Sequence, residues 1–212
     1  MKRFLLLLTL LCQLAYSEFS GIVTLGLAYK QDLNSSIQDS VAFSLLMIIR
    51  NGNFAFEGNR ASYNLGTVWG LTIAPVVKIE QEDKIIESGL QLTTKLPWES
   101  FLQLNTFFDV SATHQSYQAE LMIFRRFSIN NLSLLPSFAL QYDDKQRFNY
   151  LYGVNESALN IEFELLSIYQ FAPSWNIAST FFINYYDEKV LQIPDLNRQL
   201  TMKLSLGVGY TF

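Results

Sequence analysis

Over residues 199–212 apolar positions alternate with polar or small ones. Leu200, Met202, Leu204, Leu206, Val208, Tyr210 and Phe212 fall on one parity, and Gln199, Thr201, Lys203, Ser205, Gly207, Gly209 and Thr211 on the other. Successive side chains of a strand point to opposite faces, so this run has one apolar face and one polar face. A strand needs about 9–11 residues to cross a bilayer at a tilt, and this run is long enough. Similar alternation, bounded by turn residues, predicts further strands at 20–30, 40–50, 53–57, 61–65, 67–79, 88–96, 99–111, 116–127, 131–142, 159–170 and 174–186. Val23, Leu25, Leu27 and Tyr29 form the apolar parity of the first, and Val41, Phe43, Leu45, Met47 and Ile49 that of the second.

Counted back from the last strand, the connections sort by length. Those at 31–39, 58–60, 80–87, 112–115, 143–158 and 187–198 fall on one side, and those at 51–52, 66, 97–98, 128–130 and 171–173 on the other. Long outer loops and short periplasmic turns characterise bacterial membrane barrels. The expected fold is therefore all-β, a transmembrane antiparallel up-and-down β-barrel of 12 strands, or of 10 if 53–65 is one bent strand. The same topology sends Trp69, Trp98 and Trp175 to the periplasmic rim with Phe127, Phe171, Tyr210 and Phe212. Tyr29, Tyr117, Tyr142, Tyr185 and Tyr186 go to the outer rim. Two aromatic girdles are expected where amphipathic rings meet headgroups.

Composition changes the picture in two ways. Half of the residues are hydrophobic and only 16% are charged, below the roughly 25% of a soluble domain. After the N-terminus no apolar run reaches the length of a membrane helix, so the excess belongs to strands. The N-terminus itself has Lys2 and Arg3, an apolar run from Phe4 to Leu14, then Ala15-Tyr16-Ser17. That pattern predicts a signal peptide at 1–17 and a single barrel domain at 18–212. The one cysteine, Cys12, lies within the leader, which excludes a disulfide-stapled fold. The net charge of −4, spread without a basic stripe, excludes nucleic acid as a partner.

Candidate chemistry is sparse. His114 is the one histidine, placed in a loop near Asp109, Ser111 and Ser116. A Ser-His-acid mechanism needs those groups fixed within hydrogen-bond reach, and one short loop does not preorganise them. Asp143, Asp144, Asp187 and Glu188 read as solvated loop charges at the outer rim. No catalytic residue, metal ligand or cofactor is expected. The charges on the inward parity are more informative: Asp109, Glu120, Arg126, Glu162, Glu164 and Lys203. A barrel of this size is narrow, so they are expected to pair across the bore, with Lys203 engaging Glu162 or Glu164. Phe107, Met122, Phe124, Leu166, Ile168 and Phe182 would help to fill it. Tyr210 and Phe212, at the end of the last strand, resemble the C-terminal signal read by the barrel-assembly machinery.

Two segments carry a family resemblance. Asp109-Val110-Ser111-Ala112-Thr113-His114-Gln115-Ser116-Tyr117 resembles the Asp-Val-Ser-Gly-x-His-x-Gly motif of the MipA/OmpV family, the MltA-interacting proteins of the Gram-negative outer membrane. Asn149-Tyr150-Leu151-Tyr152-Gly153-Val154, followed by Glu156-Ser157-Ala158, resembles a second segment of that family, and Gly207-Val208-Gly209-Tyr210-Thr211-Phe212 its ending. Ala112 and Ser116 replace two motif glycines. The resemblance implies a non-catalytic scaffold in the outer-membrane lipid that docks a lytic transglycosylase and a murein synthase at its periplasmic side. The residues leave two other roles open: a narrow small-solute channel, or a surface protein acting through its outer loops.

Overall fold

The computed structural model describes residues 19–80, 85–111 and 115–212. The expected signal peptide and His114 lie outside the described residues. The strands are β1 (Ser20–Lys30), β2 (Ser40–Asn51), β3 (Phe54–Glu57), β4 (Arg60–Tyr63), β5 (Gly66–Val68), β6 (Leu71–Glu80) and β7 (Ile85–Lys95). They continue with β8 (Ser100–Asp109), β9 (Tyr117–Arg125), β10 (Phe127–Ile129), β11 (Leu132–Asp143), β12 (Ala158–Ala172), β13 (Trp175–Tyr185) and β14 (Leu200–Thr211). Each pairs antiparallel with its neighbours, and β14 closes on β1 from Ile22↔Thr211 to Lys30↔Lys203. The result is a closed barrel of 12 strands with two short extra strands, β5 along β6 and β10 along β11.

The parity read from the sequence decides which face meets lipid. Leu25, Leu27, Phe43, Leu206 and Val208 are exposed on the outer surface, whereas Asn105, Gln118, Asn160 and Asn176 are buried in the bore. An apolar exterior around a polar interior is stable only in a bilayer, where each strand's backbone groups are satisfied by its neighbours. Among the described residues no helix is long and apolar enough to cross a membrane. Close wall packing explains Gly89: a Cβ there would lie 1.5 Å from the Thr106 carbonyl oxygen, beside buried Phe107.

Several boundaries differ from the expected ones. The predicted strand 67–79 is broken at Trp69-Gly70, where two consecutive positive φ angles (52° and 79°) turn β5 back onto β6. That is the backbone of a two-residue hairpin loop, so this periplasmic turn lies at 69–70 rather than at 66. The turn expected at 128–130 sits instead between Ile129 and Leu132, with Asn130 at φ 51°. The outer loop at 143–158 contains a helix, α1 (Lys145–Tyr152), started by the Asp144 carboxylate, which accepts from the Arg147 N–H, and ended by Gly153 at φ 74°. Tyr186 does not join the outer girdle; it packs edge-on against Tyr152 beneath that loop.

Candidate functional site

The bore is filled by a polar network centred on Asp143. Its carboxylate accepts from Gln118 Nε2 (2.9 Å), Gln141 Nε2 (3.0 Å) and Asn160 Nδ2 (2.9 Å), and Arg147 Nε lies 2.9 Å away. Asp143, Gln118, Gln141 and Asn160 share the inward parity of β11, β9 and β12, so the register Gln118↔Asp143 and Gln141↔Asn160 brings them together. Arg147 comes from α1. Its guanidinium descends into the mouth to pair with Glu87 of β7, and only 2% of Arg147 remains exposed. Lys78 lies 3.4 Å from the other oxygen of Glu87 and donates to Gln118 Oε1 at 2.9 Å. A second centre lies deeper. Arg60 grips Glu120 with two bonds of 2.9 and 2.7 Å, and Asn105 Nδ2 donates to Glu120 Oε1 at 2.7 Å. Arg60 and Lys78 both stand over the Phe107 ring, at 5.3 and 5.1 Å from its centre. Buried charges persist only when paired in this way.

Above the network the long loops close the mouth. Phe148 and Val190 are fully buried with Ala158, and Leu33, Tyr152, Val154, Tyr186, Ile193 and Leu196 pack around them. These residues come from three connections distant in sequence. Hydrogen bonds fasten the loops: Arg198 N–H to the Leu33 carbonyl at 3.1 Å, and Ser35 N–H to Asn197 Oδ1 at 2.8 Å. Asp187 clasps the strand ends, accepting from the Leu159 and Lys189 N–H groups, both at 3.1 Å. Burial acts to raise the Asp187 carboxyl pKa, but those two N–H donors and the Lys189 ammonium outweigh it and hold it below the ordinary carboxylate range. For Asp39, the Tyr29 hydroxyl, which donates to it, does most to lower its carboxyl pKa, with Arg198 assisting.

The six inward charges expected from the sequence divide. Glu120 lies in the network, but its cation is Arg60. Glu162 and Glu164 face the bore, and among the described residues neither forms an ion pair. Among the described residues no ion pair joins Lys203 to either; it is exposed, next to Lys30 in register, with Phe182 between it and Glu164. Asp109 shapes its own loop, accepting from the Ser111 and Gln115 N–H groups at 2.9 and 3.1 Å. Arg126 is exposed where the ladder is interrupted between β9 and β10. Asp143 and Asp144, expected as solvated loop charges, are buried: one is the hub of the network, the other the cap of α1. Arg60, Lys78, Glu87 and Arg147 were not anticipated. Inward parity alone marks Lys78, whereas nothing periodic marks Arg147.

The two rims differ in how their aromatics are held. At the outer rim Tyr117 lies between Phe108 and Tyr142, with ring centres 6.3 and 5.8 Å apart. At the periplasmic rim Trp175 packs edge-on against Tyr210 at 5.4 Å. Trp69 and Trp98 are different. Both sit at positive φ (52° and 58°) at the tips of turns, 101% and 81% exposed. Their turns are neighbours on the rim, because β6 pairs with β7. Phe212 exchanges both backbone bonds with Gly21, at 3.0 and 3.1 Å, so the C-terminus seals the barrel seam.

Residues 23–212 match the family described as MltA-interacting protein MipA. Curated proteins offer no match to the chain. Among solved structures, the chain is similar in fold to the anion-selective porin from Comamonas acidovorans. The two are 6% identical, with a TM-score of 0.52 over 92% of this chain and 99% of that one. The outer-membrane channel DcaP of Acinetobacter baumannii is 10% identical, with a TM-score of 0.46 over 92% of this chain and 96% of that one. The closed barrel is thus of the outer-membrane kind, and the outer membrane is where the chain resides.

Proposed function

The chain belongs to the MltA-interacting protein (MipA) family, and from that membership we propose that it is a non-catalytic scaffold. In this reading its periplasmic rim docks a lytic transglycosylase, and with it a murein synthase. The observation that carries the docking reading is the pair Trp69 and Trp98, presented on neighbouring periplasmic turns and exposed. The turns are short, but large exposed aromatics are the side chains that dominate binding energy at protein interfaces. The filled bore supports the same reading, since a plugged barrel acts through its surfaces. The test is co-purification with the transglycosylase. Trp69→Ala/Trp98→Ala should abolish retention while the barrel still shows heat-modifiable migration on unboiled gels. Retention equal to that of the unaltered barrel would refute the docking face.

A second reading, a narrow cation-preferring channel, is favoured by Glu162 and Glu164, which face the bore and form no ion pair among the described residues. Steady conductance of the unaltered protein in planar bilayers would establish it in place of the plug. For the non-catalytic assignment, His114→Ala should leave lipid turnover unchanged. We also infer that residues 1–17 are removed on export and that Tyr210 and Phe212 address the barrel to its assembly machinery. N-terminal sequencing and deletion of Phe212 test these two points.

A further inference from the structure

The charges of the buried network match one another, and two carboxylates stand outside it. Arg60 is held by Glu120, Lys78 by Glu87, and Arg147 by Glu87 and Asp143, so three cations meet three carboxylates. Glu162 and Glu164 come in addition. They occupy successive inward positions of β12 and are half-buried. Among the described residues neither forms an ion pair, and Lys203 is separated from Glu164 in register by Phe182. Two carboxylates side by side on one face of a strand repel, more strongly inside a protein than in water.

A second imbalance lies next to the first. Asn184 of β13 is directly opposite Glu162, so the two side chains share the inward face with Cβ atoms about 4.5–5.5 Å apart. Asn184 is only 7% exposed, and its Oδ1 is buried without a hydrogen-bond partner among the described residues. Buried acceptors normally find a donor. On the other side of β12, Ala139 is opposite Glu162 and Ser137 opposite Glu164, small side chains that leave room beside the carboxylates. Two carboxylates and an amide oxygen that all lack a partner are hard oxygen donors, the ligand set of calcium. We propose that Glu162, Glu164 and Asn184 Oδ1 bind one calcium ion on the β12–β13 wall of the bore. The site lies one inward position below Asn160, which serves the Asp143 hub. Calcium accepts about six to eight oxygens in flexible geometry, so water and the Ser137 hydroxyl complete the shell, whereas magnesium demands a near-ideal octahedron. Only two ligands are acidic, and among the described residues no three His, Cys, Asp or Glu side chains cluster as a metal site. The affinity expected is therefore that of weak, part-hydrated extracellular sites, with Kd of about 0.1–1 mM. The site lies in the outer half of the barrel and does not depend on the periplasmic docking face.

The test is equilibrium dialysis of the purified barrel against radioactive calcium, in maltoside micelles that carry no phosphate or carboxylate of their own. One saturable ion per chain is expected. Glu162→Gln/Glu164→Gln keeps the shape and removes the charge, and should weaken binding roughly tenfold or more. Asn184→Asp adds a third carboxylate at the same place and should tighten it, a gain that would not follow if Asn184 only filled space. Heat-modifiable migration checks that the variants fold, and Glu162→Gln alone replaces the double variant if that one does not. Calcium should also raise the temperature at which the parent loses its folded band, and should not do so for the glutamine variant. Glu156→Gln/Glu188→Gln, in the outer loops, should bind like the parent. Absence of saturable binding by the parent, equal binding by the glutamine variant, or loss of binding in the loop variant would overturn the proposal. So would calcium binding that appears only in Lys203→Met, because the Lys203 ammonium would then be the counter-charge.

Discussion

The wall from β11 to β14 and the wall from β3 to β5 are built from the same alternating pattern and end differently. The first has strands of 12, 15, 11 and 12 residues, each paired along nearly its whole length. The second has strands of four, four and three residues. The difference is in the turns. Asn51-Gly52, Gly58-Asn59, Gly66 and Trp69-Gly70 recur at short intervals in the second region, and four of its glycines, Gly52, Gly58, Gly66 and Gly70, have positive φ. No such residue lies within β11, β12, β13 or β14, and Gly153 belongs to the loop that ends α1. Long alternation closes the wall and lets the loops above it grow into a cap, while closely spaced turns leave the wall low and bring Arg60 into the bore.

The largest expected effect comes from the cap on the tall side. Arg147→Ala removes the buried cation that Glu87 and Asp143 share, leaving Glu87 with Lys78 and Asp143 with its amide donors, and breaking a buried pair costs about 3–5 kcal/mol. The expected outcome is a barrel that still migrates as folded but conducts steadily in planar bilayers, because α1 no longer holds its place. A variant as silent as the parent would show that the Phe148–Val190 cluster suffices to hold the cap without the ion network.

Proline scanning sharpens the comparison between the walls. The pairing of β2 with β3 spans Ile48 to Asn51, so Phe43→Pro removes an N–H on a side where no described strand pairs, and proline is tolerated at an open edge. Phe163→Pro in β12 removes a bond between fully paired strands and leaves a carbonyl unsatisfied, at a cost of about 1–3 kcal/mol. Heat-modifiable migration should survive the first substitution at a temperature where the second has lost it. Equal loss in both would show that β2 is paired along its whole length.

How much of this could be read from the chain follows the same division. Period-two alternation made the tall strands, their inward parity and the closing of β14 on β1 legible, because each strand repeats the signal many times. The low wall was blurred at Trp69, where a tryptophan stands in a turn conformation that sequence rules reserve for glycine and asparagine. The network was only half legible. Glu120 and Lys78 follow from parity, and Asp143 would have followed had β11 been extended by one residue. Arg60 lay one residue outside its predicted strand. Arg147 had no signal, because a loop residue folded back into the bore leaves no period.

A smaller contrast concerns the periplasmic tryptophans. Trp175→Ala loses an edge-on pair with Tyr210, worth about 0.5–1.5 kcal/mol beyond its area. Trp98→Asn places at φ 58° a residue that tolerates that conformation, so a gain of a few tenths to about 1 kcal/mol is expected. Thermal unfolding in detergent should thus move in opposite directions for the two substitutions. A loss at both would mean that Trp98 is anchored by the surrounding amphiphile more strongly than its backbone is strained.

The smallest effect is confined to the outer clasp. Because the folded Asp187 carboxyl pKa is lowered, its contribution is complete above the unfolded value, about 3.9 for an aspartate. It is lost as pH falls through the lower folded value. Protection of the Leu159 and Lys189 amides, corrected for intrinsic exchange, should therefore hold from neutral pH down to about 4 and fall only below that. In Asp187→Asn the same amides should be less protected at neutral pH, and their protection should not change on acidification. Deprotection of the parent already near pH 6 would mean that burial raises this carboxyl more than its two N–H donors lower it. The clasp would then weaken under mild acid while the ladders of β12 and β13 beneath it stayed closed.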